Sequence, residues 1–197
     1  MSSKLLVIAC GAIARELIQV QQLNGWDHIE FQCLPAELHN TPDKIPAAVE
    51  QMIESKRKQF DEIFVAYADC GTGGLLDSML EKHGVERIPG AHCYEFYTGS
   101  EAFTNLSEQE PGTFYLTDFL VRSFDRLVKE GLGLERYPEL MSQYFGNYRR
   151  VVYLAQSRSE DLQSLARRQA QYLGLEYEYV YSGLEPLNQS LNIHLSH

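Results

Sequence analysis

Residues 62–84 read EIFVAYADCGTGGLLDSMLEKHG. The apolar run at its start suits a buried strand, and LLDSMLEKHG carries a helical pattern. Between them lies a loop with one cysteine and three glycines, Cys70 to Gly74. Strand, tight loop and helix form the repeating unit of an α/β sheet, so this stretch sets the reading of the whole chain. It also raises a chemical question. Cys70 sits where a strand hands over to a helix, and it reads as a packed core residue, a phosphate-loop neighbour or part of a reactive site.

The same unit recurs outward in both directions. KLLVIAC (4–10) reads as a strand, and Ile13, Leu17, Val20 and Leu23 mark one face of the helix that follows, with Gly25 as its stop. IEFQCLPA (29–36) precedes a helix in IPAAVEQMIESKRKQ, and RRVVYLAQ (149–156) precedes one in SRSEDLQSLARRQAQYLG. Ser157 and Glu160 stand at capping-box spacing there. YEYVYSG is the last strand. This alternation predicts an α/β fold with a mostly parallel, Rossmann-like sheet covered by helices on both faces. The middle, about 91–148, reads as helix-rich and is expected to cap the sheet, with LTDFLVRSFDRLV (116–128) as one amphipathic helix. A single domain over 1–187 and a loose tail over 188–197 complete the expectation.

Bulk properties narrow the function. The chain has 197 residues, enough to bury a good core, and a formal net charge of −10. That charge argues against nucleic acid, because a phosphate-backbone binder needs a basic face to release counterions. The densest basic run, KRK at 56–58, reads as a solvated helix end. MSSKLLVIAC imitates a lipoprotein leader ending at Cys10. Its apolar stretch, Leu5 to Ala9, is shorter than the roughly 7–15 residues such a leader needs, so it is assigned to a strand. No run approaches the ~18 apolar residues of a membrane span. A cytoplasmic protein with a small-molecule substrate or a protein partner is expected, and its four cysteines are expected to be reduced.

Ligands in open α/β sheets bind beyond the carboxyl ends of the strands. Cys10 ends the first strand, Cys70 ends the third, and Cys93 follows the Pro89-Gly90 turn. Each lies near an expected helix N-terminus, where backbone N–H groups favour thiolate over thiol. Cys33 sits in a strand body instead and reads as core. A shared metal site is the sharpest reading of the other three. Zinc takes Cys and His ligands with tetrahedral geometry, and an iron–sulfur cluster is the alternative. His39, His92 and Glu95 are candidates for a fourth ligand. His92 and Cys93 are adjacent, so their side chains diverge, and both could serve one ion only through an unusual turn.

Other readings stay open beside this one. Gly71, Thr72, Gly73 and Gly74 resemble a phosphate-cradling loop, but the GxGxxG and GK[ST] spacings are absent, and glycines for a tight turn explain them as well. Asp69 reads as a general base or a plain helix cap, and Arg15 as an anion contact or a surface residue. The cysteines are open to three readings: a catalytic metal centre, a metal or cofactor carrier, or a metal-free thiol enzyme.

The motifs IACGAIARE, LPAELHN, YADCGTGGLLD, VERIPGAHCYEFYTG, EPGTFYLTDFLVRSFDRLV and YFGNYRRVVYLAQ together resemble the domain-of-unknown-function family numbered 1638, from about Lys4 to about Gly183. That resemblance implies a context of corrinoid-dependent methyl transfer, with a corrinoid protein or methyltransferase as partner. It also implies that Cys10, Cys70 and the His92-Cys93 pair belong to one site. The function expected from residues and resemblance together is a metal-binding protein that activates a small thiol or methyl carrier.

Overall fold

The computed structural model describes residues 3–195, and they fall into two compact units. The first comprises the residues up to Cys93 together with those from Asn188 onward; the second runs from Tyr94 to Leu187.

The first unit is built on strands β1 (Leu5–Cys10), β2 (Ile29–Leu34), β3 (Glu62–Ala66) and the short β4 (Glu86–Arg87). They pair in the order β2-β1-β3-β4, all parallel. Every residue of β1 is buried. Successive side chains of a strand point to opposite faces, so both faces of the sheet are covered there. The helices α1 (Ala14–Asn24), α2 (Ile45–Lys56) and α3 (Leu75–His83) supply the cover. Leu17, Val20, Ile45, Val49, Ile53 and Leu76 are each fully buried. A side chain of this kind contributes roughly 1.5–3 kcal/mol on leaving water. Gly25, Gly84 and Gly174 end α1, α3 and a later helix in the left-handed conformation that glycine adopts without steric cost.

The strand order places a switch point between β1 and β3, because the chain leaves β1 toward one side for β2 and crosses to the other for β3. The crevice outside the carboxyl ends of β1 and β3 is where such a sheet holds its ligand.

The second unit carries a sheet of its own. Residues Thr113–Thr117 form β5, which pairs in parallel with β6 (Arg150–Ala155), itself paired with β7 (Glu176–Tyr181). The structure is thus mixed α/β with two wholly parallel sheets, as the alternating pattern predicts, although one sheet was expected. The difference comes from TFYLT, which runs without punctuation into DFLVRSF. The helix read from Leu116 begins at Asp118, where Thr117 caps it by accepting from Leu120 N–H. It continues as α6 (Asp118–Phe124) and then as a π-helical stretch, Asp125–Glu130. Around this sheet lie α4 (Glu95–Thr98), α5 (Ser100–Gln109), α7 (Leu140–Phe145) and α8 (Glu160–Leu173). Phe124, Phe145, Tyr153, Ala166 and Ala170 belong to its core.

Three local expectations are corrected. The cap of α8 is Ser159, whose hydroxyl accepts from Leu162 N–H, while Ser157 instead donates to the buried Asp118. Cys33 is exposed rather than core, since β2 is the edge strand of its sheet. Residues 185–195, which include most of the expected tail, form helix α9 (Glu185–Leu195), with Leu191 and Leu195 buried. Among the described residues no helix is long and apolar enough to cross a membrane.

Candidate metal centre

Four segments of the first unit converge beyond the carboxyl ends of β1 and β3. Cys10 is the last residue of β1 and is almost fully buried. Its sulfur accepts from Ala12 N–H at 3.3 Å, so the thiol caps the 3-10 turn Gly11–Ile13. His39 comes from the short 3-10 helix after β2, Ala36–Asn40, and its Nδ1 lies 3.6 Å from the Cys10 sulfur. Cys70 follows β3 and Cys93 follows β4, and their sulfurs are 2.9 Å apart. Ligand atoms of His39, Cys70 and Cys93 all lie within 4.8 Å of one another, which makes them a group that could hold a metal ion.

The loop geometry explains how Cys70 is aimed. Among the described residues it is the one non-glycine residue with positive φ, at 49°. Gly71, Gly73 and Gly74 share that region, with φ of 85°, 62° and 83°. A chain of left-handed residues turns the backbone sharply after β3, and a β-carbon at position 70 bears a strain that glycine would not. Asp69 stabilises this turn. Its carboxylate accepts from Thr72 Oγ1 at 2.7 Å, Gly74 N–H at 2.8 Å and Gly73 N–H at 3.1 Å. These bonds hold its carboxyl below the usual carboxylate range, the Gly74 bond foremost. Two of the amides a phosphate would need are therefore already committed, and Asp69 acts here as the cap of its own loop.

The second cysteine loop is pinned against the first. Asp69 N–H donates to Gly90 O and Cys70 N–H to Ala91 O, each at 3.0 Å. Pro89 and Gly90 let the chain reverse there, and Cys93 arrives opposite Cys70. His92 is exposed while Cys93 is partly buried, in line with the divergence expected of neighbours.

The electrostatics follow from these contacts. A hydrogen bond from Cys93 lowers the Cys70 thiol to about 5; burial opposes this and the His39 ring assists it. The same bond, with burial, pushes Cys93 well above the ordinary thiol value. Burial alone would lower His39, but hydrogen bonds to the Cys10 and Cys70 sulfurs outweigh it and raise the imidazole to about 10. Tyr67, fully buried at the end of β3, is pushed up by burial and by the surrounding thiols, Cys10 first. Its hydroxyl lacks a hydrogen bond of acceptable geometry, although the Cys10 sulfur is near enough to influence it.

The donors suit a soft ion. Thiolates and imidazole select zinc, copper(I) or iron–sulfur chemistry over calcium or magnesium. Donors within 4.8 Å of one another match a single ion, whereas a multi-iron cluster spreads its thiolates over several metal centres. Two sulfurs sharing a tetrahedral zinc at about 2.3 Å stand roughly 3.8 Å apart, so the Cys70–Cys93 pair must open slightly to admit one.

The remaining sequence candidates are placed as follows. Arg15 is exposed on α1. Glu95 opens α4 in the second unit and does not belong to the group of His39, Cys70 and Cys93. Tyr67 escaped sequence reasoning, since a tyrosine in an apolar strand carries no signal of a buried hydroxyl facing thiols. A second group that could hold a metal, Glu50, Glu54 and His83, joins α2 to α3, and its His83 Nε2 is paired with Glu50 Oε1 at 2.9 Å. A cavity of about 650 Å³ opens at the N-terminal ends of β1 and β3, lined by His28, Arg57 and His194 among others, and contains none of the thiols.

Comparison with protein families gives a match. Residues 33–191 match the family described as "Protein of unknown function (DUF1638)", and the chain belongs to that family. The matched span begins at Cys33 rather than near Lys4, so it includes His39, Cys70 and Cys93 and excludes Cys10. No curated protein matches the chain.

Proposed function

For this member of the DUF1638 family we propose a mononuclear metal site of soft-ion character, with zinc as its simplest occupant. His39, Cys70 and Cys93 would be the ligands, and the fourth position would fall to Cys10 or to an exchangeable thiol. One observation carries the reading: three donors from positions 39, 70 and 93 have their ligand atoms within 4.8 Å of one another. Their segments are far apart in sequence, and the switch-point crevice is where this sheet type gathers a ligand.

A bound zinc would lower the pKa of a thiol coordinated to it, making thiolate available at neutral pH. The protein's own groups would do the rest. Asp69 holds the loop that aims Cys70, and the His39 ring faces the sulfurs of both Cys10 and Cys70. The reaction class that suits such a site is methyl transfer to a small thiol, with a corrinoid protein as the donor that the sequence resemblance implies.

Elemental analysis of protein purified without added metal or chelator tests the site. About one zinc per chain is expected, falling to near zero in H39A, C70S and C93S. Wild-type protein free of stoichiometric metal, even after incubation with zinc, would remove the proposal. Single-turnover methylation of a small thiol by the zinc-loaded protein and a methylcorrinoid tests the reaction separately.

A further inference from the structure

We propose that peroxide closes Cys70 and Cys93 to a disulfide, and that this bond excludes metal from the cluster. The inference starts from the contact itself. Both cysteines are free, and their sulfurs lie 2.9 Å apart. A disulfide needs about 2.05 Å, so the sulfurs have under about 1 Å to travel. A shared tetrahedral zinc pulls them the opposite way. The two states of the pair are therefore mutually exclusive.

The surroundings favour this partnership over every other pairing. The two loops are held side by side by the Asp69–Gly90 and Cys70–Ala91 backbone bonds. Arg87 fastens the second loop further, donating to the carbonyls of Ile88 at 2.8 Å and Gly90 at 3.3 Å. Cys10 is occupied otherwise, its sulfur accepting from Ala12 N–H and facing His39. Cys33 lies exposed on the edge strand and is suited to reaction between molecules instead.

The chemistry balances with hydrogen peroxide as the oxidant. The Cys70 sulfur, beside the His39 ring, attacks one peroxide oxygen. The O–O bond breaks, the departing hydroxide leaves as water with the proton that the Cys70 thiol has given up, and Cys70 is left as a sulfenic acid. The Cys93 sulfur then attacks the sulfenic sulfur. The S–O bond breaks, and the hydroxyl leaves as a second water with the Cys93 proton. Two thiols lose two electrons in total, and one peroxide becomes two waters.

The exclusion of metal rests on the site proposed above, whereas the disulfide stands on its own. Reduced, metal-free protein is treated with one equivalent of hydrogen peroxide, alkylated, digested and mapped by mass spectrometry. A Cys70–Cys93 link is expected, with Cys10 and Cys33 alkylated. Its absence, or a link through Cys10, overturns the proposal. In C93S, with its fold checked by circular dichroism, dimedone is expected to label Cys70; an unlabelled Cys70 overturns the assignment of the attacking sulfur. Zinc content is then measured before and after oxidation and again after reduction. A fall from about one equivalent to near zero, restored by reductant, supports the exclusion. Zinc retained by linked protein overturns it. Linked protein whose reduced form also binds no zinc refutes the metal site and leaves the disulfide intact.

Discussion

Arg87 and Asp77 meet along both edges of a guanidinium–carboxylate pair, Nε 2.6 Å from Oδ1 and Nη2 2.8 Å from Oδ2. The remaining nitrogen of the same guanidinium, Nη1, reaches the carbonyls of Ile88 and Gly90. One side chain therefore ties α3, which begins just after the Cys70 loop, to the segment that delivers Cys93. Only arginine has the planar fork to make all of these bonds at once.

Replacing Arg87 with methionine keeps much of its apolar stem and removes every one of these bonds. Zinc affinity, measured by competition with a chromogenic chelator, is expected to fall roughly 10-fold, in the range seen when groups that orient metal ligands are lost. R87K is expected to recover little of it. Unchanged affinity in both variants would mean that the Cys93 loop holds its position unaided.

The same pair has a pH signature. Arg87 holds the Asp77 carboxyl below its ordinary value of 3.8. A depressed carboxylate contributes stability above the unfolded value, and that contribution is lost as pH falls through the folded value. D77N should therefore be less stable than wild type at neutral pH, and the gap should close as the pH drops below about 3.8. Urea unfolding of both proteins across the acid range checks the sign. A gap that widens with acidification would contradict it.

The strained backbone at Cys70 makes an unusual comparison possible. Alanine ordinarily outranks glycine in folded structure by about 0.5–1 kcal/mol. At φ 49° the order should reverse, because a β-carbon in the left-handed region costs about 1–2 kcal/mol. Metal-free C70G is expected to be more stable than C70A by roughly 0.5–1 kcal/mol, while neither variant has the sulfur ligand. Chemical denaturation of the two variants measures the difference directly.

Asp69 separates two roles that the sequence leaves equal. As a loop cap it gathers Thr72, Gly73 and Gly74, so D69A is expected to lose about 1 kcal/mol of stability, the usual cost of removing a cap. D69N keeps an acceptor oxygen and should lose less. If methyl transfer is observed, D69N should retain most of the rate. A loss of several orders of magnitude in D69N with its fold intact would instead make Asp69 a proton acceptor in the reaction.

The convergence of the candidate side chains was legible where chain direction decides position. Cys10 and Cys70 follow apolar runs, and parallel strands send such positions to one sheet edge. His39 was among the fourth-ligand candidates, and the divergence of His92 from Cys93 followed from adjacency alone. What stayed hidden depended on strand order or on long-range partners. Cys33 looks like core until β2 is known to be an edge. TFYLT looks like the start of a helix until β6 is there to pair with it. Arg87 sits in a two-residue strand, and nothing in VERIPG announces that its guanidinium organises a neighbouring loop. Tyr67 alternates with apolar neighbours, so its trapped hydroxyl has no mark in the primary structure.

Helix α9 returns residues 188–195 to the unit that holds β1. Asn188 accepts from Asn24 at 2.7 Å, and the His194 ring stacks 5.3 Å from Phe64. A chain shortened to end at Leu187 would leave Phe64 without the His194 ring and Asn24 without Asn188, so the loss of stability should fall on the first unit rather than on Tyr94–Leu187.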